Sequence, residues 1–586
     1  MSRFPLPYLA GLLPLAAFSF TGCTATYPGE TVVARSWVLP GVSPAGKHKP
    51  ISPGTHMPAP PAEGEFVTAA VPKREFPENK IASLRSKSDL GLAFSGGGNR
   101  AAVCALGQVR ALTEIGVMNR ARYISAVSGG SWFCVPYTFF KGDTKAFLGP
   151  YIQPEQLSWN TLTTKPDNGS FAACASNAPT PVLLSILSFH GDENFAHRLN
   201  EIYLSPFGKL GDEHRFFCHD DETRIAISKR NQGRLGENDF NVAAPNRPYL
   251  IASSVLVAHG LTPSTRFVPV EMTSNYTGAG AFRKRGLVNP PIGGGYVESF
   301  GYDSKLIGAK QEGDGWESKV DIPKRHGLAY RSSPRFALAD VMAASGSAPS
   351  VPLPELSYLA GFPEFLHWSP ATQPDAKNKE MIHTDGGGID NAGIIPLLRR
   401  EVGTIIAFIN TRVHVKDGEP QFPSYIAALF GGRQGATKSR LCQVFGEDEY
   451  CNLRQAFLKE WEKNAPLIVH RQKPYTTVQN EAYGVRGGHK VRVIWVFLGG
   501  PKELVAEGQP RKGSLPAWLR DLDKGSKDQI LSKSPNEFSD FPYFRTFFEN
   551  GGSVIDLSAA QVNALSQFTS YSVMENKGIF EKAAPK

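Results

Sequence analysis

Two short glycine-rich stretches hold the residues best suited to chemistry, Gly96-Gly97-Gly98 and Ser128-Gly129-Gly130. Ser128 lies between small residues, with Ala126 two before it and Gly130 two after. That pattern suits a sharp strand-to-helix turn, which lifts the serine hydroxyl above a sheet edge and leaves no room for bulky neighbours. A hydroxyl held in this way is a candidate nucleophile for an ester carbonyl. Three consecutive glycines before a helix let the main chain come close to a ligand. They also leave N–H groups pointing outward at the end where the helix dipole favours negative charge. Gly96-x-Gly98-x-x-Ala101 also matches a dinucleotide fingerprint, but that site calls for an acid about 20 residues further on, at the end of the next strand. The next strand candidate, Tyr123 to Val127, runs into Ser128 instead.

A serine nucleophile needs a base, and the next strand supplies none. Far downstream, Asp385 heads the turn Asp385-Gly386-Gly387-Gly388 and is the candidate, with Asp390 in reserve. Asp-Gly is also the commonest of turn signals. His383 is read as structural, turned to the side away from the serine. The elements that must position these groups follow from periodicity. Leu90 to Ser95 reads as a buried strand entering the glycine turn, and Val103, Leu106, Val109, Leu112 and Ile115 mark one face of a helix after it. Ser131 to Cys134 continue the serine turn as a second helix. Tyr249 to Leu256, Thr404 to Ile409 and Val491 to Leu498 are further strands. The expected architecture is a large α/β domain with a mainly parallel sheet and late crossover helices.

Three segments together resemble the patatin and cytosolic phospholipase superfamily, nearest its cytosolic phospholipase and lysophospholipase branch. They are Gly91-Leu92-Ala93-Phe94-Ser95-Gly96-Gly97-Gly98-Asn99-Arg100-Ala101, the Ser128 turn followed by Gly-Ser-Trp, and Asp385-Gly386-Gly387. Softer matches are Asp340 to Pro349, Phe267 to Phe282, Phe541-Pro542-Tyr543-Phe544 and Leu557 to Val562, so that the likeness runs from about residue 88 to 575. Ala126 stands where the family has Gly. The resemblance implies a patatin-like three-layer α/β domain with a glycine-rich oxyanion loop, a nucleophile elbow and lid-like insertions. It further implies a Ser128–Asp385 dyad in place of a triad, with N–H groups of Gly96, Gly97, Gly98 and Gly129 placed to receive the oxyanion. Arg100, a cation at the positive end of a helix, is expected to hold a substrate phosphate or the oxyanion region. The implied activity is acyl-ester hydrolysis of phospholipid or lysophospholipid. No cofactor is expected, and no calcium-binding membrane module, because the chain before Leu90 reads as signal and tether. The rival readings are a Ser-His-Asp esterase and a non-catalytic envelope lipoprotein.

The remaining expectations concern organisation and address. With 586 residues, 41% of them hydrophobic and 20% charged, there is material for a substantial core; Gly 58 and Pro 45 fall short of a low-complexity chain. The net charge of +9 comes without a Lys/Arg block, so no nucleic-acid partner is expected. Arg3 and the apolar run Leu9 to Phe18 form a signal-like segment, and Phe20-Thr21-Gly22-Cys23 resembles a bacterial lipoprotein box, with Phe20 in place of the usual Leu. The expectation is a signal peptide over 1–22, lipid on Cys23, a proline-rich tether over 23–80 and a catalytic domain over 81–586 with insertions at about 141–245 and 283–335. An exported, lipid-anchored envelope protein on a membrane surface follows. Cys174 with Cys218 and Cys442 with Cys451 are plausible disulfides, whereas Cys104 and Cys134 read as free buried thiols. No Cys-x-x-Cys spacing points to a metal. Phe139 and Phe140 are read as closing a helix against the core.

Overall fold

The structure, a computed structural model, describes residues 29–39, 76–153, 156–176, 195–258, 267–283, 291–322, 335–348, 363–434, 437–438, 442–463, 466–499, 541–544 and 557–585. The strands used below are β1 (Glu30–Val38), β2 (Ser88–Phe94), β3 (Ala121–Val127), β4 (Tyr249–Val257), β5 (Phe267–Thr273), β6 (Tyr276–Arg283) and β7 (Ile292–Glu298). They continue with β8 (Lys305–Glu312), β9 (Gly315–Ile322), β10 (Glu364–His367), β11 (Lys379–Asp385), β12 (Thr404–Ile409), β13 (Ile468–His470) and β14 (Lys490–Phe497). The helices around the site are α1 (Gly98–Glu114), α2 (Gly129–Phe139), α3 (Leu338–Gly346) and α4 (Ala559–Glu575).

One long sheet runs β8-β9-β1-β7-β6-β5-β4-β3-β2-β12-β14-β13. Its centre, β4-β3-β2-β12-β14, is parallel, and both flanks are antiparallel. The central strands are near-continuous apolar runs because both faces are covered. Alternate residues enter two separate cores. Leu90, Leu92, Phe94, Ile124, Ala126, Ile406 and Phe408 pack into one, while Ala93, Tyr123, Ile405, Ala407, Ile409, Val493 and Trp495 pack into the other. Helices α1, α2 and α4 cover the first face, and residues 389–398, 426–430 and 444–457 cover the second. This is the expected three-layer α/β domain with a parallel centre. Gly107 lets α4 lie close to α1, since a Cβ there would collide with the Ser566 carbonyl.

The expected strands form within two residues of their boundaries, and both expected helices form, the second running on to Phe139. Other expectations need correction. Residues 30–38, placed in a tether, form β1, which pairs with β9 from Glu30↔Ile322 to Ser36↔Trp316 and with β7. Within the expected insertion at 283–335, the β8–β9 hairpin extends the sheet as its edge. The 141–245 stretch carries regular elements, among them helix Phe195–Tyr203, helix Asp221–Arg230 and a parallel pair of short strands, Phe216–Cys218 with Phe240–Val242. The expected disulfides do not form: Cys174, Cys218 and Cys442 are free and buried, and Cys451 is free and exposed. The Cys174 and Cys218 thiols donate to the Ser170 and Asp220 carbonyls at 3.5 and 3.6 Å. Cys104 and Cys134 are free and buried as expected. Phe139 meets Phe217, and Phe140 stacks on Phe147, so both rings serve the core. Cys23 and the signal-like segment lie outside the described residues. No helix among the described residues is long and apolar enough to cross a membrane.

Candidate active site

β3 delivers Ser128 to the carboxyl end of the parallel strands, and the backbone turns there at φ 51 and ψ −129. A non-glycine residue in this region is strained by roughly 1–3 kcal/mol and persists only where its surroundings over-determine it. Here both of its peptide groups are fastened. The Ser128 N–H donates to Ser345 Oγ at 3.0 Å. Its carbonyl accepts the Ser131 N–H at 2.8 Å and the Ser131 hydroxyl at 2.6 Å. Ser128 is 7% exposed.

The glycines are steric requirements of this turn. A Cβ on Gly129 would collide with the Gly98 carbonyl, one on Gly130 would lie 2.6 Å from the Phe94 carbonyl oxygen, and one on Gly96 would lie 2.9 Å from Ser128 Cβ. The 96–98 loop therefore lies directly across the start of α2. Gly97 and Gly98 adopt φ 141 and 61, which turns the chain sharply into α1. Among the described residues, the N–H groups of Gly97, Gly98 and Gly129 have no acceptor. Gly96 differs from the expectation, because its N–H donates to the Asn391 carbonyl at 3.1 Å and holds the loop instead of facing a ligand.

Asp385 arrives by an unusual use of one strand edge. Along β4, Val127 of β3 sits opposite Ser253, and Asp385 of β11 sits opposite Ser254. β3 runs parallel to β4 and β11 antiparallel to it, so the two strands advance toward each other along the same edge and their carboxyl ends meet. This brings the Asp385 carboxylate beside the Ser128 side chain. Asp385 is 5% exposed. Burial pushes its carboxyl up to about 6, against the neighbouring Ser128 hydroxyl and the Gly387 N–H, which favour the charged form. That N–H lies 2.7 Å from Oδ1.

Ser345, near the end of α3, ties the two turns together. Its hydroxyl receives the Ser128 N–H and donates to the Ser253 carbonyl at 2.8 Å, while its own carbonyl receives the Gly386 N–H at 3.2 Å. Neither Ser345 nor Asn391 was singled out from the sequence. Ser345 lies within the soft Asp340 to Pro349 match, which gave no sign of this role.

The reserve base, Asp390, is engaged elsewhere. Its carboxylate accepts the N–H groups of Ala392 and Gly393, both at 3.1 Å, and of Ile395 at 2.7 Å, and so builds the turn that presents the Asn391 carbonyl to Gly96. His383 is structural as expected, but for a different reason. Residues two apart on a strand share a face, so its position alone does not turn it from Asp385. Its ring nitrogens instead lie 2.9 Å from Ser254 Oγ and 3.0 Å from the Tyr302 hydroxyl, and burial lowers its pKa to about 3.

Arg100 departs from the phosphate-binding expectation. It is buried, with Nε donating to the Asn410 carbonyl at 3.1 Å and Nη1 to the carbonyls of Phe544 and Tyr543 at 2.8 and 3.2 Å. It is a strut joining the start of α1, the end of β12 and the 541–544 segment. Main-chain carbonyls at the positive end of α1 make this cation tolerable where a free one would be repelled. Among the described residues no cluster of three or more His, Cys, Asp or Glu side chains is placed to hold a metal.

No protein-family model and no curated protein matches the chain. Among solved structures, the chain is similar to human GIVD cytosolic phospholipase A2, at 14% identity and a TM-score of 0.38 over 85% of this chain and 60% of that one. It is also similar to that enzyme in complex with methyl gamma-linolenyl fluorophosphonate, at 12% identity and a TM-score of 0.36. The complex that also contains terbium chloride gives 13% identity and a TM-score of 0.34. The chain spans about 60% of the length of these structures.

Proposed function

We propose that this protein is a serine acyl hydrolase that cleaves fatty-acyl esters of glycerophospholipids or lysophospholipids with a Ser128–Asp385 dyad. The observation that carries this reading is Ser128 on a strained backbone turn next to a buried carboxylate, beside three main-chain N–H groups left unbonded among the described residues. The lipid class rests on the resemblance of the Gly91–Ala101, Ser128 and Asp385 motifs to the patatin and cytosolic phospholipase superfamily.

In the reaction, Ser128 Oγ forms a bond to the ester carbonyl carbon as its proton passes to Asp385. The oxyanion is received by N–H groups of Gly97, Gly98 and Gly129, each such donor being worth roughly 3 kcal/mol. Collapse breaks the ester C–O bond, and Asp385 returns the proton to the departing lysolipid or glycerol oxygen. Water then attacks the acyl-serine, giving its proton to Asp385 and releasing the fatty acid as Ser128 recovers its hydrogen. A carboxyl near pKa 6 is mostly ionised at neutral pH yet basic enough to accept a hydroxyl proton. Among the described residues no His hydrogen-bonds to Ser128 or Asp385, and the nearby His383 is held by Ser254 and Tyr302, which favours the dyad over a triad. Lipid on Cys23 would hold the enzyme at an envelope membrane, and the intact mass of the mature protein tests that part separately.

The experiment is fatty-acid release from phosphatidylcholine and lysophosphatidylcholine, comparing the native protein with Ser128→Ala and Asp385→Ala. Release by the native protein, absent from both variants, is expected. Equal release by a folded Asp385→Ala protein would overturn the dyad.

A further inference from the structure

At the opposite end of the sheet from Ser128, an open cleft of about 850 Å³ lies against the amino ends of the central strands. Ser88 opens β2, Arg120 immediately precedes β3 and Arg247 lies just before β4, and all three line the cleft. A seven-residue strand at about 3.3 Å per residue puts this cleft roughly 20 Å from the elbow.

Lys87, Arg120, Lys141 and Arg247 bring four cations to the cleft, against the two carboxylates of Asp220 and Asp221. Lys87 Nζ donates only to the carbonyls of Asn246 and Arg247, at 2.8 and 3.0 Å. Arg247 is 8% exposed, lies over the Tyr137 ring and donates Nη2 to Thr144 Oγ1 at 2.8 Å. Lys141 projects into the same cleft. None of these three cations forms an ion pair among the described residues. The acids at the rim are engaged: the Asp220 carboxylate accepts the Thr223 N–H at 2.8 Å, and Asp221 pairs with Arg224 at 2.8 Å. Two buried polar atoms of the lining have no partner, Arg247 Nε and His219 Nδ1. Burial lowers the Lys87 pKa to about 8, and Arg247 beside it adds to the shift. The buried Arg247 guanidinium beside a half-buried Lys87, together with two orphaned nitrogens, is costly unless something fills the place.

We propose that this cleft is a second ligand site, independent of the acyl-ester chemistry, for a molecule bearing a phosphomonoester group. The dianion would lie between Lys87, Lys141 and Arg247, with Arg247 Nε and the His219 ring as further hydrogen-bonding groups. The cleft volume exceeds that of a bare phosphate, and Leu84, Val242 and Pro245 offer apolar wall for an organic body.

The test is calorimetric titration of the full chain with glycerol 3-phosphate and with inorganic phosphate, beside flotation with phosphatidic acid vesicles. Saturable binding of glycerol 3-phosphate with a Kd of about 1 mM or tighter is expected. It should weaken about tenfold in Lys87→Gln and about fivefold in Lys141→Gln, and stay unchanged in Ser128→Ala and in the exposed control Lys145→Gln. Lys141 is exposed, so its variant decides the matter if Lys87→Gln does not fold. Vesicle binding that both cleft variants lose, with no heat from the soluble probes, assigns the phosphomonoester to a lipid headgroup. Absence of binding to every probe, or equal loss in Lys145→Gln, overturns the proposal.

Discussion

Asp385 carries opposite consequences for stability and for activity. Its carboxyl is raised from 3.8 to about 6 by burial, so the folded state holds that proton more tightly than the unfolded chain does. The stability this contributes is full below about pH 4 and is lost as pH rises through 6, leaving a neutral-pH penalty on the order of 1–3 kcal/mol. Asp385→Asn is therefore expected to raise the melting temperature at pH 7 while abolishing ester hydrolysis; thermal unfolding beside an activity assay checks both. In the native protein the proposed base must be ionised, so activity should fall away below pH 6, and a pH–rate profile flat from pH 4.5 to 8 would contradict that role. Ser345→Ala removes the acceptor of the Ser128 N–H and leaves a buried donor, a loss of about 1–3 kcal/mol. The expected reading is a roughly tenfold lower kcat with KM little changed. Gly96, Gly129 and Gly130 are legible in the sequence because contact geometry dictates their type, while Ser128 and Asp385 stand out there through the motifs those glycines frame. Ser345 and Asn391 are not, since one acts through a hydroxyl fixed only by distant packing and the other through a main-chain carbonyl that any residue offers.

The helices and strands around the site were readable wherever one element buries both faces or one stripe, as in β2, β3 and α1. Pairings between distant segments were not. β1 sits amid prolines and gains its place by matching β9 and β7, more than 250 residues away. A strand whose partner is that remote leaves little local trace beyond a few alternating residues. The same limit hid the meeting of β3 and β11 along β4, on which the whole site depends. At this scale the prediction concerns the contact between two turns. Gly129→Ala drives a Cβ into the Gly98 carbonyl, so the 96–98 loop and the start of α2 must part. Loss of fluorophosphonate labelling with only a modest fall in melting temperature is expected. A variant that labels at the native rate would show that the loop does not need this contact.

The molecule as a whole is locked by a buried charge cluster on the face opposite α1. Glu271 of β5 receives Arg399, Arg400 at 3.0 Å and the Tyr296 hydroxyl at 3.2 Å, and Arg400 reaches on to Glu78 at 2.6 Å. Burial acts to raise the Glu271 carboxyl, but the two guanidinium groups outweigh it and hold its pKa below the ordinary 4.5. The sign is opposite to that of Asp385: this stability is present above about pH 4.5 and is lost as pH falls through the lowered value. Glu271→Gln leaves buried arginine charge short of a partner and should cost about 3–5 kcal/mol in urea unfolding at pH 7. A loss under 1 kcal/mol would mean that the cluster does not lock the fold.

The central claim is that the Ser128 hydroxyl is activated by Asp385, and covalent labelling with an alkyl fluorophosphonate followed by peptide mass mapping tests it most directly. A single adduct on the peptide containing Ser128 is expected at pH 7, forming about 100-fold more slowly in a folded Asp385→Asn protein. An adduct on another serine, no adduct at all, or native labelling rates in Asp385→Asn would contradict it.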